Sequence, residues 1–87
     1  MITLVFKAKG GKLFHLTGMQ DGILNYKMKS PNGSFDLNVY LSQNRLGNYV
    51  LDNYEILDVI GNFIAGSSIS SFDEIIDFVE NNDITTM

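Results

Sequence analysis

Turn pairs containing glycine recur between segments of alternating polarity through the first half of the chain, and this rhythm confines that half to a β-meander. Gly10-Gly11, Asp21-Gly22 and Asn32-Gly33 each offer the backbone freedom that a tight hairpin requires. Residues 2–9 place Ile2, Leu4, Phe6 and Ala8 on one side and Thr3, Val5, Lys7 and Lys9 on the other. A second strand is expected over 12–17. A third follows over 23–29, where Leu24, Tyr26 and Met28 alternate with Asn25, Lys27 and Lys29. Residues 34–42 alternate most cleanly, with Phe35, Leu37, Val39 and Leu41 inward against Ser34, Asp36, Asn38, Tyr40 and Ser42. Beyond the turn-like Gln43-Asn44 and Gly47-Asn48, Tyr49-Val50-Leu51 is a candidate fifth strand.

Residues 52–65 satisfy two periods at once. On a helical wheel Glu55, Asp58 and Asn62 share one side while Ile56, Leu57, Val59, Ile60, Phe63 and Ile64 cover the other. Asp52 with Glu55 resembles a capping box and Gly66 a C-terminal stop, so the pattern leans toward a helix at 53–65. The alternative is a hairpin turning at Gly61-Asn62, which the β-branched residues favour. The last element is plainer. Ser71-Phe72-Asp73-Glu74 has capping-box spacing, and Phe72, Ile75, Ile76 and Val79 recur at helical intervals, giving a helix over 72–81.

An 87-residue chain that is 45% hydrophobic holds one core and no interdomain cleft. The reading is a single α+β domain over 1–87, with a β-meander at 1–51 and an acidic, helix-containing half at 52–87. Its antiparallel sheet of four to six strands packs against the C-terminal amphipathic helix, with Phe6, Phe35, Leu37, Val39, Ile75, Ile76 and Val79 in the core. The lack of cysteine removes disulfides, thiol nucleophiles and Cys-ligated metals. No basic segment precedes the N-terminal apolar run, and polar residues interrupt every apolar stretch. Neither a secretory signal nor a membrane helix is expected, and the cytoplasm is the default location.

Charge divides the chain sharply. Residues 1–45 hold all six cations against Asp21 and Asp36, a net +4, whereas residues 46–87 hold eight anions and no cation, so the whole carries −4. Such a division predicts a dipolar surface that steers charged partners.

Chemical motifs are sparse. His15 is the only histidine and sits on a strand between Phe14 and Leu16, without a nucleophile signature elsewhere, so it reads as a surface imidazole and no catalytic residue is expected. Asp73, Asp77 and Glu80 recur on one helical face but lack the converging loop ligands of a hard-cation site, so no metal is expected. Gly10-Gly11 leads into a strand rather than a helix, which excludes a phosphate cradle and leaves no cofactor to expect.

What survives is recognition of a macromolecule. The leading expectation is a non-enzymatic protein-binding module that docks Asp73, Asp77, Glu80, Glu55 and Asp58 onto a basic surface of a partner. Size and charge suit an inhibitor or adaptor of the kind that phages and mobile elements direct at nucleic-acid enzymes. A second expectation is a self-associating accessory subunit, a homo-oligomer built through strand edges or opposite charges. The third is a weak nucleic-acid binder using Lys7, Lys9, Lys27 and Lys29, which the sequence pI near 4.6 opposes.

Overall fold

The computed structural model describes residues 2–30 and 33–84. It contains one antiparallel sheet in chain order, β1 (Val5–Lys7), β2 (Leu13–Gln20), β3 (Ile23–Ser30), β4 (Gly33–Gln43), β5 (Tyr49–Leu57) and β6 (Phe63–Ser68), followed by α1 (Phe72–Asn81). The expected meander is therefore present, extended to six strands and curled into a half-barrel. The β2–β3 turn has Asp21 at φ 50° and Gly22 at φ 80°, the paired positive angles whose twist matches a two-residue hairpin. The turn expected at Pro31-Asn32 lies outside the described residues. Register shifts between Leu16 and Gly18, between Tyr40 and Leu41, and between Ile56 and Leu57 place bulges along the sheet, and bulges bend strands.

The helix expected at 53–65 is replaced by the hairpin of β5 and β6. Pairing decides between the two periods: Leu37 faces Ile56 and Val39 faces Tyr54 across β4 and β5, so residues 54 and 56 enter the core alternately instead of along a helical stripe. Asp52 caps nothing here; its carbonyl accepts the Ile69 N–H at 3.0 Å. Gly66 is no helix stop either, because it lies within β6 opposite Glu55.

The inner face buries Phe6, Phe14, Leu24, Tyr26, Met28, Phe35, Leu37, Val39, Tyr54 and Ile56, and α1 lays Ile75 and Val79 against them. Ile76 packs at the margin of this core and is only partly buried. Tyr26 meets Phe6 edge-on at 4.9 Å, and its hydroxyl donates to the Thr3 carbonyl at 2.6 Å.

The sequence signal for α1 is realised at its N-terminus. Glu74 reaches back to accept the backbone N–H of Ser71 at 3.1 Å and of Ser70 at 2.6 Å, closing the capping box. These bonds, led by the one from Ser70, hold the Glu74 carboxyl below its ordinary pKa. The ionised group therefore contributes stability at neutral pH, and that contribution disappears as acid carries the pH down through the lowered pKa. Melting Glu74→Gln beside the parent should show a lower Tm at pH 7, with the gap closing as acid titrates the Glu74 carboxyl; a constant gap would contradict the cap.

Candidate functional site

The structure distributes the five acids over three places. Because Ile75 and Val79 turn inward, Asp73, Asp77 and Glu80 point away from the sheet and are exposed. Glu55 lies on β5, on the face of the sheet opposite α1, where it accepts the Tyr40 hydroxyl and, at 3.3 Å, the Asn38 amide. Asn25 donates to Asn38 at 2.6 Å and the Thr17 hydroxyl to Asn25 at 2.9 Å, completing a polar row across β2 to β5. The bond to Glu55, aided by burial, raises the Tyr40 pKa above that of an ordinary phenol.

Asp58 is withdrawn altogether. It is 3% exposed, and its carboxylate accepts the backbone N–H groups of Ile60 at 3.1 Å and Asn62 at 2.8 Å and the Asn62 side-chain amide at 3.2 Å. A carboxylate placed this way satisfies the tight turn joining β5 and β6 and is withdrawn from solvent. One docking surface made of all five acids is therefore not what the fold presents. Asp73, Asp77 and Glu80 stay together, while strand alternation removes Glu55 and turn chemistry removes Asp58.

The cations divide similarly. Lys7, Lys27 and Lys29 alternate with the buried Phe6, Tyr26 and Met28 and so occupy the outer face of the sheet. Lys27 pairs with its cross-strand neighbour Asp36 at 2.7 Å. Lys9 belongs to the turn after β1, where its N–H donates to the Val79 carbonyl at 2.7 Å and its ammonium stands 3.8 Å from Asp83. The positive and negative halves of the chain thus touch where α1 meets β1. The outer face of the sheet is mixed, since Asp36 and Glu55 share it with the lysines, while the α1 acids lie beyond the inner face. His15 is exposed and stands in register between Val5 and Lys27, with no carboxylate opposite it.

An apolar cleft that sequence reasoning missed opens at the β2–β3 end of the half-barrel. It has a volume of about 490 Å³ and is lined by Met19, Leu41, Tyr49, Leu51 and Phe72 together with Asp21. Nothing in the alternation of β5 signals it, since Tyr49 and Leu51 reach the inner side only through the register shift after Tyr40. Comparison with known proteins gives no match: no family model fits the chain, and no curated protein or solved structure aligns with it significantly.

Proposed function

We propose that the chain is a small, non-enzymatic protein-binding module that docks the outer face of α1 onto a basic surface of a partner protein. The observation that carries this reading is the exposed series Asp73, Asp77 and Glu80 on a helix that bears no cation. Helix stability alone does not account for the series. First-turn acids suit the positive end of the helix dipole, but Glu80 lies in the last turn, where the dipole disfavours an anion and no basic residue offsets it. The finer reading is an inhibitor or adaptor that covers a groove built for nucleic acid, since exposed carboxylates along α1 offer such a basic groove the same sign of charge as phosphates do.

The test is capture from the native host followed by salt titration. The parent should retain a basic protein, and affinity should fall as salt screens the contact. The triple variant Asp73→Lys, Asp77→Lys, Glu80→Lys should lose that capture by at least about tenfold while keeping its circular dichroism, because all three positions are exposed. Equal capture by the reversed variant, or no capture by the parent, would overturn the reading.

A further inference from the structure

The two edges of the sheet are treated differently. β1 is three residues long, carries Lys7, and is followed by Lys9, whose N–H is bound by α1. Short length, lysine and a covering helix are the usual means of keeping an edge strand from pairing. β6 has none of these. It spans six residues, Phe63–Ser68, and the run from Val59 through Phe72 contains no charged residue and no proline.

Hydrogen bonding along β6 identifies which backbone groups face out. The Ile69 N–H donates to the Asp52 carbonyl, and the same register continues through Asn53↔Ser68 to Ile56↔Ala65. In an antiparallel ladder inward and outward groups alternate, so Ala65 and Ser67 bond to β5 while Gly66 and Ser68 turn their N–H and C=O groups to the open edge. Among the described residues, no other element accepts or donates there; the Ser68 carbonyl takes the hydroxyl of Ser67, of its own strand, at 3.3 Å. Large apolar side chains accompany the bare edge: Phe63 is 57% exposed, and the turn fixed by Asp58 presents Val59 at 57% and Ile60 at 78%.

We propose that β6 pairs antiparallel with β6 of a second copy, joining two six-stranded sheets across a two-fold axis. Charge selects this occupant. Every copy carries −4, and its C-terminal half holds eight anions, so two copies repel wherever those acids meet. The uncharged stretch from Val59 through Phe72 is where like copies meet with the least of that repulsion, leaving only the long-range part that salt screens. A two-fold antiparallel pair also lets each outward N–H of Gly66 and Ser68 find an equivalent carbonyl, and every bond made once is made twice. Pairing over Ala65–Ser68, the part of β6 in unbroken register, leaves Phe63 at the end of the new seam, so the exposed apolar side chains flank it.

The experiment measures mass by sedimentation equilibrium from micromolar to millimolar protein, for the parent and for Ser68→Pro. Proline removes an outward donor without taking a bond from the β5–β6 ladder, and edge strands accept it. The parent should dimerise, and the dimer should tighten with salt, opposite to the salt response expected of the acidic helix face. Two fewer hydrogen bonds per dimer should weaken Ser68→Pro about tenfold or more. A parent that remains monomeric throughout, or an equally tight Ser68→Pro dimer, would overturn the proposal. Hydrogen exchange of the parent supplies a reading independent of the variant's folding. The Gly66 and Ser68 amides should become protected as concentration rises, and unchanged fast exchange at the highest concentration would overturn the pairing.

Discussion

Replacing Gly66 by alanine is expected to destabilise the fold by about 2–3 kcal/mol, the upper part of the range for forcing a methyl into a filled site. A Cβ built on Gly66 would stand 2.5 Å from the Tyr54 carbonyl oxygen and 3.2 Å from the Glu55 Cα, both backbone atoms of β5, and 3.1 Å from the Phe63 ring. The ring can rotate away, but the neighbouring strand cannot yield without opening the β5–β6 hairpin. For a domain of this size the loss corresponds to a fall in Tm of roughly 10–20 °C by calorimetry. Gly18→Ala is the matched control, because a Cβ there meets nothing within 4 Å. Equal melting temperatures for the two variants would show that β6 does not pack against β5 as described.

Alkaline conditions should produce the second large effect, through Tyr26. Its ring is fully buried against Phe6, and desolvation pushes its pKa up from 10.0 to about 12. Below pH 10 the phenol is neutral in folded and unfolded chains alike, and its contribution is fully present. As the pH rises from 10 toward 12 the unfolded chain ionises while the folded one resists, so stability falls by about 1.4 kcal/mol per pH unit, or roughly 2–3 kcal/mol in all. Tyr26→Phe keeps the ring packing but loses the hydrogen bond to Thr3, so it should be less stable than the parent at pH 8 and less sensitive to pH above 10. Urea unfolding at both pH values measures the crossover, and parallel losses for parent and variant would remove Tyr26 as its cause.

The legible and illegible parts of this chain differ for a definable reason. Residues 34–42 alternate over enough positions that only one period fits, and β4 is found as Gly33–Gln43. The helix at 72–81 is equally plain, since Ser71 and Glu74 fix its start independently of the apolar spacing. Residues 52–65 carry apolar side chains at nearly every position from Ile56 to Ile60, which satisfies a helix and a strand alike. What breaks the tie is pairing with β4, a distant segment that no local window contains. The candidate site shows the same limit. Three acids on one well-defined helix can be grouped from sequence, whereas Glu55 and Asp58 join them only through the anionic character of residues 46–87, which does not say where each side chain points. Asp58 resembles any surface acid until its turn is closed around it.

The order of strands in this sheet is the order of the chain, so each strand finds its partner across a short turn, without waiting for a distant segment to diffuse into place. Among the extensively packed pairs of described elements, only α1 and β1 lie far apart in sequence. Assembly can then proceed as successive local zippering, with a single large ring closure at the end whose entropy grows only slowly with the number of residues it encloses.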